Sequence, residues 1–274
     1  MAYSSTPALI GIFDSGVGGL SVLRAIRALL PCHPVLYVAD QVHVPYGAHT
    51  HAEVRSYSEG ITRFLLERGA EIVVVACNTA SAAALYYLRE MFPSTPFVGM
   101  EPAVKPAALS TNSGVIGVLA TPVTLQGQLY ASVVDRFARN VTVLEDACPG
   151  LVAQIEAGQL SGPDTRSILK RALQPMIERG ADTIVLGCTH YPFVYPLIQE
   201  IAGPGVRVID PAPAVARQTA RLLAARGLPA PCGAPGEVVF FTTGDPAKLR
   251  EMLPALLGET HDVQTARWEA GKLQ

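Results

Sequence analysis

Short apolar runs alternate with longer amphipathic stretches along this chain. The run at 72–76 consists of one isoleucine, three valines and an alanine. Uninterrupted runs of this kind are typical of strands buried on both faces of a parallel sheet. The stretch 50–68 is helical in pattern, because it begins with the capping-box pair Thr50 and Glu53 and closes at Gly69. The alternation predicts an α/β fold with mainly parallel sheets. The predicted strands are Leu9–Phe13, Val35–Ala39, Ile72–Ala76, Phe97–Met100, Val115–Ala120, Val141–Leu144, Thr183–Gly187, Val206–Ile209 and Val238–Thr242.

The chain also repeats part of this pattern. The strand before Asp14 resembles the one before Thr121, and the strand before Cys77 resembles the one before Cys188. Short apolar strands often match by chance. Two matches in the same order and at nearly equal spacing favour two similar α/β halves, each with a strand that ends in cysteine.

Composition excludes several classes of protein. Of the 274 residues, 49% are apolar and only 16% are charged, which indicates a compact globule rather than a disordered chain. A net charge of −2 gives no electrostatic reason to bind nucleic acid or an anionic membrane. We find no signal peptide in residues 1–8 and no apolar run long enough to span a membrane. Five cysteines, an odd number at wide spacings, argue against a secreted disulfide framework and favour the cytoplasm.

Two of the cysteines stand apart from the others. Burial as a small apolar side chain is the usual role of free cysteine, and it suits Cys32, Cys148 and Cys232, which lie beside prolines. Cys77 and Cys188 instead follow buried strands directly, where open α/β sheets bind their ligands. A helix begins just after Cys77, and its N-terminus stabilises a thiolate. We therefore interpret these two cysteines as reactive.

The pairing of two distant cysteines narrows the chemistry. Their spacing is unlike a CxxC redox pair, and only His190 lies close enough in sequence to join either in a zinc site. A disulfide between them is a further alternative, though an unusual one in a cytosolic enzyme. Two thiols on opposite sides of a substrate suit removal of a proton from one face of a carbon and delivery to the other. We expect a solvated surface role for His43, His49 and His51.

A glycine-rich segment, 14–20, follows the first strand. It fits neither the dinucleotide pattern GxGxxG nor a P-loop, but its exposed N–H groups suit a carboxylate as well as a phosphate. Asp14 is either a helix cap or an assistant to a general base. Pyridoxal phosphate would need a Schiff-base lysine, and only Lys105 lies near a strand end, without a phosphate-binding loop. We therefore expect no cofactor and no metal.

These segments resemble the glutamate racemases of the aspartate/glutamate racemase superfamily, in family order and over nearly the whole chain. The matching segments are 11–23, 44–47, 76–81, 101–107, 186–192 and 242–245. The resemblance implies that Cys77 faces D-glutamate and Cys188 faces L-glutamate, as the two acid/base thiols. It further implies that Asp14 assists Cys77, and that His190 and Glu156 assist Cys188. The substrate-binding residues it implies are Asp14, Ser15, Tyr46, Gly47, Asn78, Thr79, Thr121, Thr189 and His190.

The resemblance also implies an architecture and a role. We expect two pseudo-symmetric α/β domains, 1–98 with 208–274 and 99–207, with the active site in the cleft between them. A homodimer that supplies D-glutamate for peptidoglycan would follow. An aspartate racemase is the nearest alternative, but that branch places an acidic residue after the threonine, where this chain has His190. A non-catalytic amino-acid-binding module is the other alternative, and it would not need both thiols.

Overall fold

The computed structural model describes residues 7–228 and 233–274, so Cys232 and its expected packing role lie outside the described residues. The chain forms two compact units, one made of Met1–Met100 with Ala212–Gln274 and the other of Glu101–Pro211. The second unit extends past residue 207 because the strand Arg207–Ile209 pairs with Thr183–Gly187.

The described residues form short strands and helices in alternation. The strands are β1 (Ile10–Asp14), β2 (Val35–Ala39), β3 (Ile72–Val75), β4 (Phe97–Val98), β5 (Val115–Ala120), β6 (Thr142–Asp146), β7 (Thr183–Gly187), β8 (Arg207–Ile209), β9 (Val238–Thr242), β10 (Val263–Thr265), β11 (Trp268–Glu269) and β12 (Lys272–Leu273). The α-helices are α1 (Leu20–Leu29), α2 (His51–Glu67), α3 (Asn78–Met91), α4 (Val104–Ser110), α5 (Pro122–Leu125), α6 (Gln128–Phe137), α7 (Leu151–Glu156), α8 (Pro163–Glu178), α9 (Tyr195–Ala202), α10 (Ala212–Ala225) and α11 (Pro246–Leu257). Three 3-10 helices lie at Gln41–His43, Tyr46–Ala48 and Tyr191–Val194.

Each unit contains one parallel sheet. In the first unit the strand order is β10-β9-β2-β1-β3-β4, and in the second it is β6-β5-β7-β8. All pairs within these two sheets are parallel. The order β2-β1-β3-β4 therefore recurs as β6-β5-β7-β8, which confirms the predicted α/β class and the predicted similarity of the two halves.

The predicted elements agree with the structure closely where the pattern is strong. All nine predicted strands are present, and Thr50 and Glu53 form the expected capping box of α2. The strand at Phe97 is shorter than predicted and ends at Val98. Strands β10, β11 and β12 were not predicted, because their residues are largely exposed and carry no continuous apolar run.

Burial of the central strands builds the core of each unit. Every residue of β1, β3 and β7 is buried, as expected for strands covered on both faces. In the second unit, helices α4 and α6 pack against β5 and β7 through Val104, Ala107 and Tyr130. No described helix combines the length and the apolar character needed to cross a membrane.

Candidate active site

The first group of predicted site residues lies at the carboxyl ends of β1 and β3. These strands are neighbours, with Phe13 paired to Val75, so the residues that follow them emerge at the same edge of the sheet. Asp14 ends β1 and is fully buried, and Cys77 follows β3 with 5% of its surface exposed. The fold thus brings Asp14 and Cys77 to one edge of the sheet. They are distant in sequence, since Cys77 lies 62 positions after Ser15, the residue that follows Asp14.

Cys77 is the N-cap residue of α3. Its Sγ accepts a hydrogen bond from the backbone N–H of Ala80 at 3.4 Å, as the predicted position at a helix N-terminus requires. The Cys77 thiol also donates a long hydrogen bond to Ser15 Oγ, with a sulfur–oxygen distance of 3.9 Å. A helix N-terminus favours negative charge, so this position suits a sulfur that alternates between thiol and thiolate.

The glycine-rich segment fixes Asp14. The Asp14 carboxylate accepts a hydrogen bond from the Gly16 N–H at 3.0 Å, while α1 is capped by Gly19 without a side-chain bond. Asp14 is therefore not the cap of α1. A Cβ added at Gly19 would lie 2.7 Å from Asp14 Cβ and 2.8 Å from the Tyr37 hydroxyl, so only glycine lets the helix begin this close to the carboxylate.

Asn78 and Thr79 form the first turn of α3 and are both buried. Neither the amide oxygen nor the amide nitrogen of Asn78 has a hydrogen-bond partner among the described residues. Burying an unpaired amide is costly, and such groups in native proteins usually meet a ligand or water. The Asn78 side chain is thus suited to bind a polar ligand beside Cys77.

Tyr46 and Gly47 lie in a short 3-10 helix, and the Tyr46 side chain is buried. Its hydroxyl donates to Asp40 Oδ2 at 2.7 Å. Burial, followed by the nearby Asp40 carboxylate, holds the pKa of Tyr46 well above its ordinary value. Asp40 was not among the predicted site residues, although it directly follows β2, and the strand-end rule that identified Cys77 would have identified it too.

The second group of predicted residues lies in the second unit, where Cys188 follows β7 and is buried. His190 Nδ1 lies 3.7 Å from Cys188 Sγ, and His190 Nε2 lies 2.6 Å from Glu156 Oε1 at the end of α7. The residues after Cys188 lead into a 3-10 helix, Tyr191–Val194, for which His190 is the N-cap residue. The structure therefore brings Cys188, His190 and Glu156 into one chain of contacts.

The charge of His190 depends on these two partners. Burial alone would lower the pKa of His190, but the hydrogen bonds with Cys188 and then Glu156, and the negative charge of both, raise it well above the ordinary value of 6.5. The imidazolium form is thereby favoured at neutral pH. This places a positive charge 3.7 Å from the Cys188 sulfur.

Thr121 directly follows β5, and Thr189 directly follows Cys188. Both side chains are buried. Thr121 Oγ1 lies 2.9 Å from Thr124 Oγ1 at the start of α5. Thr189 directly precedes His190 in the same buried segment. The structure places both threonines at the carboxyl edge of the second sheet, because β5 and β7 are paired neighbours.

Two further buried groups of the second unit, Cys148 and Tyr191, lie outside the predicted site residues. Cys148 is buried as predicted, and burial followed by the nearby Asp146 carboxylate raises the pKa of its thiol. The Tyr191 hydroxyl is buried, with Cys148 and Cys188 among the groups that raise its pKa after burial itself. Tyr191 directly follows His190, but an aromatic residue there gives no sequence signal of its own.

His51 is exposed as predicted, whereas His49 and His43 are only partly exposed and both pack on Tyr57, His43 more closely. The His43 ring stacks on Tyr57 with centroids 3.8 Å apart, and its Nδ1 lies 2.9 Å from Asp40 Oδ2. Within residues 7–228 and 233–274, no group of three or more His, Cys, Asp or Glu side chains is placed to hold a metal ion.

Known proteins that resemble this chain are racemases. The family model for Asp/Glu/Hydantoin racemases matches residues 20–219. A glutamate racemase of Pseudomonas aeruginosa is 53% identical over 256 residues, which cover 93% of this chain and 96% of that protein.

Solved structures of glutamate racemases also resemble this chain over nearly its whole length. A glutamate racemase of Bacillus anthracis has a TM-score of 0.84 at 31% identity, covering 97% of this chain and 98% of its own. An Escherichia coli glutamate racemase, solved with L-glutamate and an activator, has a TM-score of 0.83 at 34% identity and covers 94% and 97%. On the strength of the family match and of these relatives over nearly their whole length, the chain belongs to the Asp/Glu/Hydantoin racemase family.

Proposed function

We propose that this chain interconverts L- and D-glutamate by moving the α-proton between two cysteines, Cys77 and Cys188, without a cofactor. The observation that carries the proposal is the repetition of the cysteine site. Each cysteine follows the corresponding strand of its unit, β3 or β7, and each has buried polar neighbours. A non-catalytic binding module would not need a thiol at both positions.

The proton transfer is balanced over one turnover. With L-glutamate, the Cys188 thiolate removes the α-proton and the Cys77 thiol protonates the opposite face, which yields D-glutamate. The enzyme is left with a Cys188 thiol and a Cys77 thiolate. Reaction from D-glutamate runs through the same steps in reverse, and exchange of the thiol protons with solvent restores either starting state.

The helpers differ on the two sides. We assign to Asp14 assistance of Cys77, and to His190 assistance of Cys188, with Glu156 holding His190 by the 2.6 Å contact. The imidazolium favoured at His190 supplies positive charge beside the sulfur that must act as a base toward L-glutamate.

Substrate binding falls to the polar groups around the sulfurs. We assign it to Asp14, Ser15, Tyr46, Gly47, Asn78, Thr79, Thr121, Thr189 and His190. The unpartnered Asn78 amide supports this assignment, because it can donate to a carboxylate and accept from an ammonium group. Preorganised donors at the α-carboxylate would stabilise the carbanion that develops when the α-proton leaves, which is usually the largest contribution to such catalysis.

One experiment tests the proposal directly. Purified protein, dialysed against a chelator and without added pyridoxal phosphate, is incubated with L-glutamate or L-aspartate, and the products are separated by chiral chromatography. We expect L-glutamate to become racemic and aspartate to react far more slowly. Activity that needs added metal or pyridoxal phosphate would contradict the mechanism, and an equal or higher kcat/KM for aspartate would contradict the substrate.

We also propose a cytoplasmic homodimer that supplies D-glutamate for peptidoglycan, on the basis of the family resemblance. Expression of the chain should restore growth of a bacterial D-glutamate auxotroph without added D-glutamate, and the Cys188→Ala variant should not. Light scattering of the purified protein should give twice the mass of the 29.0 kDa chain. A monomeric mass would contradict the homodimer. Complementation by the Cys188→Ala variant would contradict the supply of D-glutamate by the two-cysteine reaction.

A further inference from the structure

The buried Asp40 carboxylate is the centre of a hydrogen-bonded cluster beside Tyr46. Asp40 directly follows β2 and has no exposed surface. Its Oδ1 accepts from Thr243 Oγ1 at 2.9 Å and from Trp268 Nε1 at 2.8 Å. Its Oδ2 accepts from the Tyr46 hydroxyl at 2.7 Å and contacts His43 Nδ1 at 2.9 Å. We call these five residues the Asp40 cluster.

The cluster uses the full accepting capacity of a carboxylate. An ionised carboxylate offers about four lone-pair sites and donates nothing, and here four side chains lie at those sites. The indole N–H of Trp268 can only donate. Thr243 Oγ1 accepts from the Val42 N–H at 3.0 Å, which leaves its hydrogen for Asp40. A neutral amide at position 40 could not satisfy all four partners in this way.

These bonds fold the segment that carries Tyr46 and Gly47. His43 and Tyr46 both return to the carboxylate that begins the segment, and His49 Nε2 contacts the His43 carbonyl at 2.9 Å. Gln41 Oε1 accepts from Thr242 Oγ1 at 2.8 Å. The conformation of 41–49 therefore depends on contacts made at Asp40 and at the end of β9.

Trp268 connects the cluster to the C-terminal hairpin of β11 and β12. Its ring lies so close to α2 that a Cβ added at Gly60 would approach Trp268 Cζ3 within 2.6 Å. The same ring contacts His43 and Tyr57 with centroids 5.5 and 6.0 Å apart. The hairpin is thus packed on α2 and anchors the cluster from the far end of the sequence.

From this geometry we infer that Asp40 is a positioning residue, which holds the Tyr46–Gly47 segment in the conformation that binds substrate. The inference rests on the proposed function, in which Tyr46 and Gly47 contact glutamate. Asp40 itself touches no reacting atom in this scheme, and it acts through Tyr46. Its loss should therefore weaken substrate binding more than it slows the chemical step.

The test is a double-mutant cycle on Asp40→Asn and Tyr46→Phe, with initial rates measured from both L- and D-glutamate. We expect Asp40→Asn to raise KM about tenfold for both enantiomers, with a smaller change in kcat, because bonds to a charged group are lost. If Asp40 acts through Tyr46, the double variant should be little worse than the more damaged single variant. Additive effects, or an unchanged KM, would overturn the inference.

Asp182→Asn is the matched control. Asp182 also accepts four hydrogen bonds, from Thr111 Oγ1, Thr183 Oγ1 and the backbone N–H groups of Asn112 and Ser113, but it contacts no proposed site residue. This variant should lose stability and keep its KM. A rise in KM equal to that of Asp40→Asn would mean that the effect is merely structural.

A second readout needs no substrate. Trp268 is the only tryptophan of the chain, so its fluorescence reports on the cluster. Asp40→Asn should shift the Trp268 emission, while Asp182→Asn should not. If Asp40→Asn does not fold, Trp268→Phe removes one of the four donors and keeps a ring in place. It should raise KM about threefold, and an unchanged KM in Trp268→Phe would overturn the inference.

The outcomes separate the two proposals. If the wild type racemises glutamate and Asp40→Asn has an unaltered KM, the inference is wrong and the proposed function is unaffected. A wild-type enzyme that does not racemise glutamate overturns both, and the emission shift then decides only whether the cluster exists in solution.

Discussion

At the scale of single residues, the two cysteine sulfurs are surrounded by different groups. Cys77 caps the N-terminus of α3, where Ala80 donates to its sulfur, and it lies at the same sheet edge as Asp14. Cys188 instead lies beside a histidine that is held by a carboxylate. The two proposed acid/base thiols therefore have surroundings that are not copies of each other.

The charge of His190 gives a pH-dependent prediction. Glu156→Gln removes one of the two contacts that raise the pKa of His190, so the imidazolium should lose its proton at a lower pH than in the wild type. The deficit in kcat/KM for L-glutamate relative to the wild type should then grow as the pH rises from 6 to 9, to about tenfold, and should be smallest at the acidic end, where both proteins keep the imidazolium.

Rate measurements across this pH range check the prediction, with Glu145→Gln as the control. Glu145 is a carboxylate of the same unit that accepts from the Tyr130 hydroxyl at 2.5 Å and contacts no proposed site residue. Its variant should keep the wild-type profile. A Glu156→Gln profile parallel to that of the wild type would contradict the assigned role.

At the scale of elements, the site depends on how closely helices and strands approach one another. The start of α1 lies against Asp14 because residue 19 has no side chain. Asp14 ends β1, while Asp40 follows β2 and Cys77 follows β3, and these three strands are consecutive in the sheet, so all three residues lie at one sheet edge. Small changes in packing should therefore affect chemistry as well as stability.

Gly19→Ala tests this dependence. The added Cβ would lie 2.7 Å from Asp14 Cβ and 3.2 Å from Ala76 Cβ, so α1 or Asp14 must move. We expect a loss of about 1–3 kcal/mol in the free energy of unfolding, typical of an overpacked site, together with a clear loss of kcat. Gly205→Ala is the control, since a Cβ there meets no atom within 4 Å. Wild-type melting and kcat in Gly19→Ala would refute the argument.

Asp182 gives a prediction about stability alone. Burial opposes its charge, but the hydrogen bonds from Thr111, Ser113, Asn112 and Thr183 prevail and lower its pKa from 3.8 to about 2. A lowered pKa stabilises the folded state fully above the unfolded value, and this stabilisation is lost as the pH falls through about 2.

Asp182→Asn should therefore cost about 1 kcal/mol at pH 7, allowing for solvent screening, and lower Tm by about 2–4 °C. The difference from wild type should shrink as the pH falls towards 2. Thermal melts at several pH values measure it, with the exposed Asp262→Asn as the control. A Tm difference that does not depend on pH would contradict the electrostatic explanation.

At the scale of the whole molecule, one fold pattern occurs twice. The strand orders of the two units match, and each unit places a cysteine after the corresponding strand. A reaction that needs an acid and a base of the same chemical type is well served by such a repeat. The proposed mechanism therefore requires both units in every turnover.

Solvent isotope exchange tests that requirement. In D₂O, early product from either enantiomer should carry deuterium while unreacted substrate stays largely protiated, because the proton donor is the opposite thiol, already exchanged with solvent. Cys77→Ala and Cys188→Ala should each abolish racemisation in both directions. Cys148→Ala, which removes another buried free thiol, should still racemise both enantiomers. Retention of the substrate's own α-proton in early product would remove the two-thiol mechanism.

Much of this protein was determined by its sequence alone, because the signals are local. Apolar runs predicted nine strands, the pair Thr50 and Glu53 predicted the start of α2, and strand-end position singled out Cys77 and Cys188. Each of these signals depends on neighbouring residues and on the period of a helix or strand, which act before any distant contact forms.

Only the tertiary structure decided which distant side chains meet. Trp268 bonds to Asp40 across 228 positions of sequence. The short strand β10 pairs with β9 at the edge of the sheet, and β12 of the hairpin lies against α2. Contacts of this kind leave no periodic trace, since each partner alone resembles an ordinary surface or core residue. The two strand-end thiols could therefore be recognised from sequence, whereas the Asp40 cluster required the folded chain.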